Sequence, residues 1–169
     1  MDYELVSIDE VSFQLTPNFK RIWFVKGQRP KGAFFWSNKK ILVMGALTSS
    51  HKFYYEFPVA QNSLTFMGFL SGLFDWLNPK KKYVLILDNA GWHKTQCVKN
   101  FIAKHKNIKV EFLPPYSPEL NPIETNWKVT KNAVTKSQFF RTIEDMQDAL
   151  EDFWNEHIFM QNFITYLCR

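Results

Sequence analysis

Three acids stand where metal or proton chemistry is commonly placed. Asp88 follows the apolar run Tyr83–Leu87, Glu124 follows Asn121-Pro122-Ile123, and Asp9 interrupts an apolar segment near the start of the chain. Sites in open α/β sheets gather at the carboxyl ends of parallel strands, which is where Asp88 would stand. Asp88-Asn89-Ala90-Gly91 is equally good turn chemistry, because Asx side chains bond their own backbone and Gly accepts positive φ. For Glu124, Asn121 would be an N-cap and Pro122 the first helical residue, so a capping box accounts for the acid locally. Pro114, Pro115 and Pro118 stiffen the approach, and a rigid lead-in would hold that first turn in fixed register. Strand alternation sends Asp9 and Glu10 to opposite faces, so at most one of them can join Asp88. A charge in mid-strand is unfavourable unless the strand is an edge or the charge has a ligand. Taken together, the three suggest carboxylates from separate elements converging beneath a basic surface. Two Mg²⁺ or Mn²⁺ ions need such oxygen ligands, completed by a substrate phosphate.

The basic surface is written into the charge distribution. The net charge of +5 conceals a segregation: residues 1–19 hold four acids and no Lys or Arg, and residues 142–169 hold six acids and one Arg. The remaining 20 basic residues stand with six acids between them, which points to a polyanionic partner, nucleic acid first among them. A solvated lysine-rich face is the other reading of the same numbers.

With 169 residues, 46% hydrophobic and 17% aromatic, the chain has material for one packed domain and no case for intrinsic disorder. Its longest apolar runs fall far short of a membrane helix, and acidic Asp2 and Glu4 follow Met1 where a signal peptide would be basic, so neither membrane insertion nor secretion is expected. Cys97 and Cys168 have no partner spacing for zinc or a disulfide framework, which fits a reducing cytoplasm.

The elements that must position the acids follow from periodicity. Strands are predicted at Tyr3–Leu15, Arg21–Lys26 and Lys39–Leu47, with a fourth at Lys52–Phe57. Asn62 or Ser63 caps a helix whose Phe66, Leu70, Leu73 and Leu77 share one face. Tyr83–Leu87 is a buried strand, Lys94–His105 a helix, Ile108–Leu113 a strand, Pro114–Asn121 a stiff loop and Pro122–Lys136 a helix. A last helix starts near Thr142 at a capping box and buries Met146, Leu150 and Phe153. Hairpins first and β-α-β crossovers later imply an α/β fold, a mixed sheet covered by helices.

The segment Leu87-Asp88-Asn89-Ala90-Gly91-Trp92-His93-Lys94, followed by Leu113-Pro114-Pro115-Tyr116-Ser117-Pro118-Glu119-Leu120-Asn121-Pro122-Ile123-Glu124 and Trp127, resembles the catalytic domain of DDE transposases. The group is that of the bacterial and archaeal insertion sequences related to mariner transposons. Ile8-Asp9-Glu10 and the loop residues Trp23, Gly27, Gln28 and Pro30 match the same group. The resemblance implies an RNase H-like fold: a mixed five-stranded sheet, three antiparallel strands and then two parallel ones, flanked by helices. Lys52–Phe57 would then be a short extension outside the five. It further implies Asp9, Asp88 and Glu124 as the catalytic and metal-binding triad, with two Mg²⁺ or Mn²⁺ ions when DNA is bound. Expected DNA contacts are His93, Lys94, Lys128 and Lys131, and Trp127 is expected to pack. The implied activity is metal-dependent DNA cleavage and strand transfer in cut-and-paste transposition, on transposon ends and target DNA, by a homo-oligomer near the nucleoid. Residues 1–169 read as a single catalytic domain without the helix-turn-helix region of full-length relatives, which a separate protein or upstream segment would supply. Two alternatives stand beside this: an inactive transposase-derived DNA-binding or assembly module, and a host nuclease of the same fold.

Overall fold

The computed structural model describes residues 3–16, 37–136 and 138–167. Strand β1 (Tyr3–Gln14) lies at the centre of a five-stranded sheet, with β2 (Lys40–Thr48) antiparallel on one side and β4 (Lys82–Leu87) parallel on the other. The edges are β3 (Phe53–Glu56), antiparallel to β2, and β5 (Ile108–Phe112), parallel to β4, giving the order β3-β2-β1-β4-β5. This is the mixed sheet expected of an RNase H-like fold.

Alternation along β1 builds both layers of the core. Val6 and Ile8 join one cluster with Phe66, Leu70 and Leu73 of α1 (Ser63–Trp76) and Val98 of α2 (Gln96–Ile102). Val11 and Phe13 join the other with Trp127 of α3 (Ile123–Thr130) and with Met146, Leu150 and Trp154 of α4 (Ile143–Glu156). Asp9 therefore lies on the α3 face and Glu10 on the α1 face.

Two helix starts behave as their residues predict. The Asn62 side chain accepts from the amides of Leu64 and Thr65, and Thr142 Oγ1 accepts from Asp145 N while Asp145 Oδ2 accepts from Thr142 N. Other boundaries differ. The helix expected over Lys94–His105 is a 3₁₀ turn, Gly91–Lys94, followed by the shorter α2, and the helix expected to Lys136 is α3 running into a π turn, Lys131–Thr135. A short α5 (Phe163–Leu167) was not indicated by periodicity.

The Lys52–Phe57 segment is corrected from an extension to a core strand. A tight turn, with His51 at φ 66° and its amide bonded to Thr48 O, folds β3 directly back on β2. Phe53 and Tyr55 then pack on Trp154, with ring centroids 5.6 and 4.6 Å away, and Tyr54 packs on Phe69 across the sheet at 5.6 Å. Half-buried aromatics packed against the core clusters on both faces make β3 an integral edge strand of the sheet. The Arg21–Lys26 strand and the Trp23–Pro30 loop lie outside the described residues.

Candidate active site

Asp9, Asp88 and Glu124 line one cleft of about 430 Å³ together with Asn89 and the Pro114–Pro118 loop. Each comes from a different element: the middle of β1, the residue after β4, and the first turn of α3.

Asp9 is more enclosed than Asp88. Its Oδ2 accepts a hydrogen bond from Trp127 Nε1 at 3.0 Å, and Gly45 stands opposite it on β2. A Cβ at position 45 would come within 2.5 and 2.9 Å of the Trp127 ring, so only glycine lets the indole lie against β2 and reach the carboxylate. Trp127 packs as expected, at 2% exposure, but its hydrogen bond to Asp9 was not foreseen. No spacing signals that bond; it needs the β1–β2 register. Burial, then the nearby charges of Glu124 and Glu10, push the Asp9 carboxyl up to about 7, with the indole bond opposing them.

Asp88 is half-buried and set by the turn that follows it. Its Oδ1 accepts from Ala90 N at 2.9 Å, so the turn chemistry read from Asp88-Asn89-Ala90-Gly91 and a place in the cleft coexist. The Asn89 amide donates to Leu113 O, which ties the ends of β4 and β5 together. His93, expected at a DNA phosphate, is only 1% exposed and lies within the fold. Its Nε2 is 2.9 Å from Glu10 Oε1 and its Nδ1 is 2.8 Å from Asp88 Oδ1, while its ring lies 4.3 Å from that of Phe66. The 3₁₀ turn from Gly91 to Lys94 points the imidazole inward, which corrects the expectation of a DNA contact. His93 holds the Asp88 carboxyl below the usual carboxylate range against partial desolvation. Burial disfavours charge on the imidazole, but Asp88 and Glu10 outweigh it and push His93 up to about 9. Neither Glu10 nor the inward role of His93 is visible without the three-dimensional pairing.

Glu124 does not close a capping box. Pro122 is the N-cap, with no side-chain cap, and Asn121 is extended. The Asn121 side chain instead accepts from Ser7 Oγ of β1, and Ser7 Oγ receives Ile123 N at 3.4 Å. A strand hydroxyl thus caps α3, which pins its first turn two residues along β1 from Asp9. Among the described residues the Glu124 carboxylate has no hydrogen-bond or cationic partner. The local account of Glu124 therefore fails, and its carboxylate remains available to the cleft.

Among the described residues no three His, Cys, Asp or Glu side chains are gathered closely enough to enclose an ion by themselves. The donor set still fits a hard divalent cation: all three groups are carboxylates, one is unpartnered, and in one the charged form is disfavoured by burial and by neighbouring acids, which a cation would offset. Such an open arrangement leaves coordination positions for water and substrate oxygens. Of the expected basic contacts, Lys94 donates to Asn89 Oδ1 and lies 4.9 Å from the Phe112 ring centroid. Lys128 and Lys131 are exposed on α3 and the turn after it, and Lys131 Nζ lies 5.9 Å from the Phe13 ring.

Among the described residues no helix is long and apolar enough to cross a membrane. The profile of the DDE superfamily endonuclease family matches residues 4–147. An uncharacterized protein of Sinorhizobium fredii, y4pE/y4sA, is 40% identical over 73 residues, covering 43% of this chain and 51% of that protein. The insertion element IS630 uncharacterized 39 kDa protein of Shigella sonnei is 27% identical over 130 residues, 76% of this chain and 38% of that protein. The chain thus spans about half or less of these relatives' length. The Mos1 mariner paired end complex with Mn superposes with a TM-score of 0.78 at 19% identity, over 96% of this chain and 52% of that one. The catalytic domain of Mos1 mariner transposase superposes with a TM-score of 0.70 at 19% identity, over 96% and 76%. At that identity the structures establish a common fold. The profile spans most of the chain and all three acid-bearing motifs, and on that match the protein belongs to the DDE superfamily endonuclease family.

Proposed function

We propose that this domain is a transposase catalytic domain that cleaves DNA and transfers the cut strand, using Asp9, Asp88 and Glu124 to hold Mg²⁺ or Mn²⁺. The observation that carries the reading is one cleft lined by these three carboxylates and, among the described residues, by no other acid. Bound there, divalent ions supply Lewis acidity that activates a water or a 3′-hydroxyl and stabilises the leaving oxygen. The chain's own residues supply position. Trp127 and the β1–β2 pairing fix Asp9, the Asp88–Ala90 turn fixes Asp88, and Ser7 and Asn121 fix the helix start that carries Glu124. The Pro114–Pro118 loop walls one side of the cleft, with Tyr116 fully exposed at φ 57°. Lys128 and Lys131 lie on the exposed side of the α3 region, where they can follow a phosphate backbone.

The partners in this reading are transposon ends and target DNA in the nucleoid, handled by an assembly of several copies. Recognition of the ends falls to a helix-turn-helix region, on an upstream segment or a separate protein. The 169-residue chain alone then binds DNA with little sequence preference and with affinity that falls steeply as salt is raised. Supercoiled plasmid incubated with the chain and Mn²⁺ is expected to be nicked, and Asp88→Ala is expected to reduce nicking to background. Equal nicking by the variant would defeat the catalytic reading, and preferential binding to one end sequence would defeat the non-specific one.

A further inference from the structure

The pair Glu10–His93 is the one buried carboxylate–imidazole contact on the α1 face, among the described residues, that the mechanism above leaves unused. Side-chain exposure is 0% for His93 and 5% for Glu10, and their atoms meet at 2.9 Å. Burying such a pair is expensive, and well-packed apolar side chains of similar volume commonly serve stability as well or better. Its retention in the core calls for a role beyond packing, and the geometry supplies one. His93 enters from the α1 face, yet its other ring nitrogen stands 2.8 Å from Oδ1 of Asp88 at the mouth of the cleft. Adjacent residues of β1 thus serve the same site from opposite faces: Asp9 lines the cleft, and Glu10 braces the side chain that touches Asp88.

We propose that His93, braced by Glu10 and seated on Phe66, is a positioning residue that fixes the Asp88 carboxylate for divalent-ion binding. This rests on the proposed function, since it assigns Asp88 to the ion. Oδ1 is engaged by Ala90 N and approached by His93, so the carboxylate cannot rotate freely and Oδ2 is left to face the ion. Residues that orient metal-binding carboxylates in this way are commonly worth about 10–100-fold in metal affinity.

The test is Mn²⁺ binding to the full chain without DNA, read from the electron paramagnetic resonance signal of the free ion, with thermal melting to show that each variant folds. Glu10→Gln serves as the reference background, because its amide oxygen can still accept from the ring and no unpaired charge is left when His93 is changed. In that background His93→Asn places an amide donor where Nδ1 stood, whereas His93→Gln places one where Nε2 stood, and His93→Leu places none. Binding close to that of the reference is expected for Asn, with about 10–100-fold weaker binding for Gln and Leu. The Asn and Gln variants keep the test decisive if Leu fails to fold. Equal affinity across the folded variants, or equal loss for Asn and Gln, overturns the positioning role while leaving the ion site standing. Absence of Mn²⁺ uptake by the unaltered chain overturns both this role and the proposed function.

Discussion

Asp9 and Asp88 border the same cleft and are held in opposite ways. Asp9 lies in mid-strand, enclosed, near two other acids and bonded to a neutral indole, so its carboxyl is raised to about 7. Asp88 lies past the end of its strand, half in solvent, with an imidazole and a backbone amide against one oxygen, and its carboxyl is lowered. One acid thus waits for a cation, and the other already has a partner that stands in for one. The difference shows how a fold can present like charges together without expelling them: it desolvates one group and compensates the other.

The contrast is most exposed by removing each charge in turn without added metal. Asp9→Asn at pH 8 should stabilise the metal-free chain, by on the order of 1–3 kcal/mol, because a buried, crowded charge disappears while the indole keeps an acceptor. Asp88→Ala should destabilise it, by about 1 kcal/mol, a figure kept small by solvent screening at this half-exposed site. Both should lose Mn²⁺ binding. Chemical denaturation of the two variants reads the signs, and two shifts of the same sign would remove the distinction drawn here.

Next in size is Gly45→Ala. The added methyl would press on Trp127 and is expected to cost about 1–3 kcal/mol through overpacking. It should also disturb the Nε1 bond to Asp9, so Mn²⁺ affinity is expected to fall with stability. A variant that melts early but binds Mn²⁺ normally would show that the indole supports packing alone.

The pH dependence sharpens the same contrast. Asp9 has a folded value near 7 against 3.8 for the free group, so its contribution is fully present below the free-group value and is lost as pH rises through about 7. His93 is raised from 6.5 to about 9, so its contribution holds below pH 6.5 and is lost as pH rises through 9. Metal-free stability should therefore decline in two windows, and Asp9→Asn should flatten only the lower one. Mn²⁺ binding at pH 6 should release a proton that binding at pH 8 does not, which calorimetry in buffers of different ionisation enthalpy would measure. Smallest of all, Thr142→Ala should cost about 1 kcal/mol through its lost cap and leave Mn²⁺ affinity untouched, since α4 carries none of the three acids.

What could be read from the chain beforehand was whatever depends on neighbours in sequence. The capping residues Asn62 and Thr142, the buried strand ahead of Asp88 and the opposite facing of Asp9 and Glu10 all follow from local periodicity and hydrogen-bonding capacity. The place of Lys52–Phe57 in the sheet did not, because it depends on aromatic packing against the distant residues Trp154 and Phe69 and not on the segment's own strand character. The supports of the site were hidden for the same reason. Trp127 to Asp9, Ser7 to Asn121 and His93 to Glu10 join residues 118, 114 and 83 positions apart, and nothing in composition or spacing encodes such pairs. Local rules misled where a distant partner replaced the nearby one, as Ser7 caps the helix that Asn121 was expected to cap.

The central claim is that Asp9, Asp88 and Glu124 jointly hold divalent ions. The most direct measurement is the anomalous diffraction of a crystal of this chain soaked in Mn²⁺. Density in the cleft, with each of the three carboxylates either bound directly through an oxygen at about 2 Å or linked to the ion by one bound water, is the result expected. Density elsewhere on the surface, with the cleft empty at saturating Mn²⁺, would contradict it.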